Sequence, residues 1–190
     1  HLAALRGMER WGVGTLELGL NIRMVAGPGM SPGALKVMRD TWRNFTNEQG
    51  TLETLKDAAL PGFSLSIGGK KPPKLSMNHS VSVDAYGVSA SAKDETGLLH
   101  AWYTFLQLLH SNNDGAQMRG VRIPHAEIAD EPDFAFRGIH LCVFPETTLA
   151  MLGKLLKLCA FLKYSHVTVE FWGMLRLDSM RELSWPQAFT

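Results

Sequence analysis

From Thr15 to Val25, the apolar residues Leu16, Leu18, Leu20, Ile22 and Met24 alternate with Glu17, Gly19, Asn21 and Arg23. This period of two predicts a strand with one buried face. Gly27-Pro28-Gly29 ends it, and Ser31-Pro32 then starts a helix, with Ser31 as N-cap and Pro32 in the first turn. Leu35, Met38, Trp42 and Phe45 share one helical face, and Gly50 suits the stop. A short strand from Phe63 to Ile67 follows. Beyond a Gly/Lys/Pro loop comes a strand pair, Ser80 to Tyr86 and Val88 to Ala92, with its turn at Ala85-Tyr86-Gly87. After Asp94-Glu95-Thr96-Gly97 a strong helix is predicted. Leu98, Trp102, Phe105 and Leu109 form its stripe, Leu99 and Leu106 widen it, and Asn112-Asn113-Asp114-Gly115 ends it. The order β-α-β-β-β-α predicts an α+β unit: a mixed sheet with two helices on one face.

A different pattern begins after an acidic, proline-bearing stretch, Ile128 to Asp133. Phe134 and Phe136 lead into a strand carrying Ile139, Leu141 and Val143, followed by a helix from about Thr147 to Lys163 and a strand from His166 to Phe171. Thr147 or Thr148 can cap the helix, whose apolar residues cover most of its girth. Strand, helix and strand of these lengths make a βαβ crossover with parallel strands. One such unit leaves sheet edges open, so further strands are expected. The expected domains are residues 1–125, a bridge over 126–137, and the start of a larger, unfinished domain over 138–190.

Composition narrows the classes. With 190 residues, 45% hydrophobic and 19% charged, the chain suits one or two globular domains. A net charge of +1 gives no field for nucleic acid or an anionic membrane. Lys70-Lys71-Pro72-Pro73-Lys74 is a short loop-like cluster without interleaved aromatics. No apolar run reaches the roughly 18–20 residues of a membrane span. The chain opens at His1 without a signal-like segment, which suggests a processed chain or an expressed piece. Cys142 and Cys159 fall on a predicted strand and helix without metal-ligand spacing, and read as buried thiols.

Several chemistries can be tested by spacing. A zinc-protease helix needs His-Glu-x-x-His. Here His100 is followed by Ala101, and His110 lies roughly 80° further round the helix, so the two read as a surface or partly buried pair. Gly27-Pro28-Gly29 lacks the Lys-Ser/Thr of a phosphate loop, and no Gly-x-Ser-x-Gly elbow occurs. No metal and no cofactor are expected. In the last predicted strand, alternation puts Val167, Val169 and Phe171 on one face and Thr168, Glu170 and Trp172 on the other. In a βα barrel the second set would face the lumen, with Glu170 and Trp172 at the strand's C-terminal end, where barrel enzymes place their chemistry. The strand before it ends likewise in Phe144-Pro145-Glu146. Carboxylates and an indole at a barrel mouth suit a sugar, so Glu146, Glu170 and Trp172 are the candidate substrate-binding residues. The competing reading makes Glu170 part of a structural ion pair and Trp172 a cap. Arg137 lies at the stability end of its strand and is expected to pair with Asp130, Glu131 or Asp133.

Three features together resemble glycoside hydrolase family 20, the β-N-acetylhexosaminidases. Ser82-Val83 through Gly97-Leu98 and Phe105-Leu106-Gln107-Leu108-Leu109 look like the end of that family's accessory domain. Ile123-Pro124 with Ile128-Ala129-Asp130-Glu131-Pro132-Asp133-Phe134-Ala135-Phe136-Arg137-Gly138 looks like its bridge into the catalytic barrel, and Lys163 matches a helix-to-strand lysine. Family 84 hydrolases share the accessory domain and a similar arginine-glycine entry. The resemblance implies a zincin-like accessory domain without a metal site, followed by the first βαβ of a (β/α)8 TIM barrel. It also implies hydrolysis of terminal N-acetylhexosamine by the substrate's own acetamide, an exception to the two-carboxylate scheme. Family 20 places its catalytic Asp-Glu pair at the fourth barrel strand, beyond Thr190, so no catalytic residue is assigned and the 190-residue piece is expected to be inactive. Where the family has a sugar-site Asp and Arg near the first strand's end, this chain has Cys142 and Pro145; where it has His and Asp at the second, this chain has Glu170 and Gly173. The resemblance therefore implies a divergent relative with a rebuilt sugar site. The alternatives are a non-catalytic carbohydrate-binding or scaffolding protein on the same fold, or a regulator that dimerises through the open βαβ edge. The sequence itself fixes no compartment; the resemblance is compatible with a secreted or lysosomal-type one.

Overall fold

The computed structural model describes residues 7–27, 29–55, 63–67, 79–114 and 117–189. Pro28, the Lys70–Lys74 cluster and Gly115 lie outside the described residues. By their contacts the residues fall into two compact units, His1–Asp133 and Phe134–Thr190. That division lies inside the 126–137 stretch.

The first unit contains β1 (Gly7–Gly19), β2 (Asn21–Val25), α1 (Pro32–Phe45), β3 (Thr51–Leu55), β4 (Phe63–Ile67), β5 (His79–Asp84), β6 (Gly87–Ala92), α2 (Glu95–Leu108), β7 (His110–Asp114) and β8 (Gln117–Asp130). The strands form one mixed sheet in the order β1-β8-β5-β6-β4-β2-β3, with β7 also on β8. β2, β3, β4 and β6 run parallel, while β5 is antiparallel to both β6 and β8. The turn between β5 and β6 is held by the Asp84 carboxylate, which accepts from the backbone N–H groups of Tyr86 and Gly87.

Both helices begin where the capping residues dictate. Ser31 Oγ accepts from the Ala34 N–H at 3.1 Å, and Asp94 Oδ1 from the Gly97 N–H at 2.8 Å. The Glu95 carboxylate joins the two starts by accepting from the backbone N–H and hydroxyl of Ser31. The helices pack together: Trp102 Nε1 donates to Thr41 Oγ1 at 2.8 Å, and the Trp42 and Trp102 rings meet edge-on at 6.3 Å. Trp42, Trp102, Phe105, Met24, Met38, Leu98 and Ile123 are fully buried between the helices and the sheet.

Several expectations need correction. The single strand expected over Thr15–Val25 is two, broken at Leu20, whose carbonyl accepts from Trp42 Nε1. α1 ends at Thr46, whose hydroxyl donates back to the Trp42 carbonyl and accepts from the Gly50 N–H. Asn47 and Glu48, not a glycine, then adopt left-handed φ of 50° and 64°. Gly50 is needed for close approach instead: a Cβ there would lie 2.6 Å from the Leu20 carbonyl oxygen. α2 stops at Leu108, and Asn112 to Asp114, expected within its terminating loop, belong instead to β7 (His110–Asp114). The strands β3, β7 and β8 were not expected; β8 carries Ile128 to Asp130 as strand. His100 is buried, not at the surface, with its ring 6.1 Å from that of His79. His79 Nε2 lies 3.0 Å from Thr104 Oγ1 and 3.6 Å from Asp130 Oδ2, so this polar cluster is a core feature.

The second unit contains β9 (Gly138–Val143), α3 (Leu149–Phe161) and β10 (His166–Phe171), followed by a single 3-10 turn, Arg181–Leu183. β9 and β10 pair in parallel with unbroken register, Gly138 opposite His166 through Val143 opposite Phe171. Thr148 caps α3, accepting from the Met151 N–H at 3.1 Å. Phe134 and Phe136 precede the strand and are exposed, so the alternation is confined to β9 itself. Arg137 anchors the start of the sheet, donating from Nε to the Lys163 carbonyl and from Nη1 to the Phe134 carbonyl. It thus serves as a structural anchor through backbone carbonyl oxygens, where the sequence suggested a carboxylate partner. Among the described residues no helix is long and apolar enough to cross a membrane, a statement that does not extend to strands.

Candidate functional site

Alternation along β9 and β10 sorts the second unit into two faces. Leu141, Val143, Val169 and Phe171 pack with Leu152 of α3, Met174 and Phe189. The residues between them point the other way: His140, Cys142 and Phe144 from β9 and its end, Thr168, Glu170 and Trp172 from β10 and its end. Because the strands are parallel and in register, Cys142 sits directly opposite Glu170.

Glu170 is the hub of this face. Its Oε2 lies 2.9 Å from His140 Nε2, and Cys142 Sγ donates to the same oxygen at 3.6 Å. The Cys142 thiol is pushed above its ordinary pKa, first by desolvation and then by the hydrogen bond and negative charge of Glu170, with a Trp172 hydrogen bond acting in the opposite direction. Trp172 is 53% exposed and tilts against Phe144 with ring centroids 6.3 Å apart. Behind Trp172 the backbone turns at Gly173, with φ of 74°, and a Cβ there would lie 2.8 Å from Trp185 Cδ1. That turn sends Met174 into the core under the sheet and leaves the Trp172 indole on the open side.

The structure thus brings Glu170 and Trp172 onto one face. Glu146 stands apart, exposed in the turn that follows β9. The expectation that both cysteines are buried holds only for Cys159, since Cys142 is exposed. Its parity is that of His140 and Phe144, away from α3. The Glu170–His140 contact joins side chains that are 42% and 55% exposed, and even charged pairs this open contribute about 0–1 kcal/mol. Fold stability gives little reason for its placement. In the sequence His140 is not singled out and Cys142 reads as a buried thiol at the place of a family sugar contact; the signal that could have joined them to this face was their shared parity with Phe144.

No protein-family model matches the sequence, and no curated protein matches it. Solved structures do. An inactive variant of the GH20 exo-β-N-acetylglucosaminidase of Vibrio harveyi superposes with a TM-score of 0.74 at 17% identity, covering 96% of this chain and 27% of that one. The same enzyme in complex with N-acetylglucosamine gives 0.72 at 18% identity, over 95% and 28%. The GH20 β-N-acetylhexosaminidase of Streptomyces coelicolor gives 0.71 at 19% identity, over 93% and 36%. The chain therefore has the fold of part of the GH20 β-N-acetylhexosaminidases, and it spans 27% to 36% of the length of these three chains.

Proposed function

We propose that this chain is the N-terminal part of a GH20-like exo-glycosidase that releases a terminal N-acetylhexosamine or a related sugar. In this reading residues 1–125 are a zincin-like accessory domain, 126–137 a bridge, and 138–190 the opening βαβ of a (β/α)8 barrel. Catalysis would be assisted by the substrate's acetamide, with the acid supplied from outside this segment. The observation that carries the reading is the likeness to GH20 enzymes over nearly the whole chain. The apolar side chains left exposed on α3, Leu149, Met151, Leu156 and Leu158, support a barrel in which further elements pack on that helix.

The sugar would meet the face away from α3. The open side of Trp172 offers a flat apolar surface to pyranose C–H groups, and the Glu170 carboxylate accepts from hydroxyls; Glu146 would contribute from the β9 turn. The test is an aryl β-hexosaminide panel incubated with folded full-length protein, wild type beside Glu170→Gln. Turnover of at least one substrate, reduced in the variant without a lower melting temperature, is expected. No turnover of any member would sink the enzymatic reading. A non-catalytic carbohydrate-binding protein is the second reading, favoured by Cys142, Pro145, Glu170 and Gly173 at the positions where GH20-like sugar contacts are expected. Saturable sugar binding without turnover would select it.

A further inference from the structure

The polar trio on the β9–β10 face has a property that sugar binding does not require. His140, Cys142 and Glu170 each offer one ligand atom, and those three atoms lie within 4.8 Å of one another. They converge because of topology. His140 and Cys142 are two residues apart on one strand, so their side chains leave the same face, and parallel register sets Glu170 beside Cys142 on the next strand. The result is a triangle of imidazole nitrogen, sulfur and carboxylate oxygen around a point above the sheet.

We propose that His140 Nε2, Cys142 Sγ and Glu170 Oε2 form a zinc site with one coordination position left open. The donor set selects the ion. A sulfur ligand disfavours magnesium and calcium, which take oxygen shells, while one nitrogen, one sulfur and one oxygen suit Zn2+. The spacing agrees. Tetrahedral zinc with ordinary bond lengths holds sulfur and oxygen ligands about 3.6 Å apart and nitrogen and oxygen about 3.4 Å apart. The corresponding separations are 3.6 Å for Cys142 to Glu170 and 2.9 Å for His140 to Glu170. The His140–Glu170 pair must open by side-chain rotation on an exposed face, and the third edge, His140 to Cys142, lies within 4.8 Å. Three protein ligands leave a fourth position, as in zinc sites that bind water or substrate. Trp172 and Phe144 border the trio on the side toward the strand ends. The site stands on its own geometry and does not depend on the sugar-binding reading.

Full-length protein, stripped with chelator, would be titrated with Co2+ as an optical probe and with Zn2+ in competition. The expected result is a sulfur-to-cobalt charge-transfer band that saturates at one equivalent, is displaced by Zn2+, persists in Cys159→Ala and disappears in Cys142→Ser. His140→Gln should weaken Zn2+ affinity by more than the roughly 10–100-fold that loss of an outer-shell partner costs. Absence of the band at saturating Co2+, or its retention in Cys142→Ser, would overturn the proposal. X-ray absorption of the zinc-loaded wild type gives the same decision without any variant: a sulfur scatterer at about 2.3 Å is expected, and a shell of nitrogen and oxygen alone contradicts it.

Discussion

At the scale of single residues, Cys142 shows how a side chain's character is set by its parity on the strand. Placed with Leu141 and Val143 it would be a core thiol; placed with His140 it faces Glu170 across a parallel pair. Desolvation and the neighbouring carboxylate both favour the protonated thiol. With chelator present, alkylation of Cys142 should therefore begin at a higher pH than for an ordinary cysteine, because the thiolate is the reacting species. Glu170→Gln removes the charge and should move the midpoint down, though not fully, since desolvation remains. A wild-type midpoint at or below that of a free thiol, read by mass spectrometry after timed alkylation, would contradict this account. Glu170 and Trp172 were legible from the alternation Val167, Val169, Phe171 against Thr168, Glu170, Trp172. His140 was not, because its partner lies thirty positions away and the contact exists only through the β9–β10 register.

At the scale of elements, starts were more legible than ends. Ser31, Asp94 and Thr148 each cap a helix through a local hydrogen bond, a signal contained within a few residues. The ends of α1 and α2 depend on distant groups: Gly50 passing close to the Leu20 carbonyl, and residues 110–114 pairing with β8. The long strand β8 was hidden by Pro124, which interrupts a strand pattern. In the fold Pro124 sits opposite Thr15, beside the irregularity between Trp11 and Thr15 where β1 shifts register. Ser31 has two jobs, capping α1 and binding Glu95 at the start of α2. Ser31→Ala should therefore cost about 1–2 kcal/mol, the upper part of the range for a lost cap. Urea unfolding followed by circular dichroism would check it, and a change below a few tenths would show that neither the cap nor the hydroxyl's bond to Glu95 contributes.

At the scale of the whole molecule, one chain carries two compact units of different construction. The first packs two helices on a mixed sheet around Trp42, Trp102 and Phe105. The second has parallel strands, a helix with much exposed apolar surface, and a polar face across the sheet from that helix. The change of pattern at the acidic, proline-bearing turn was legible because it needs no long-range information. The full order of the first sheet was not, because β2, β4 and β6 come together from segments far apart in sequence.

On the proposed reading, the face of Glu170 and Trp172 binds a terminal N-acetylhexosamine. Its most direct test is calorimetric titration of the full-length protein with N-acetylglucosamine, wild type beside Trp172→Ala. Trp172 is 53% exposed, so the variant should keep its melting temperature. Saturable one-site binding is expected in the wild type, weakened about tenfold or more in the variant, which corresponds to about 1.4 kcal/mol or more. No binding by the wild type, or equal affinity in both proteins, would contradict the account.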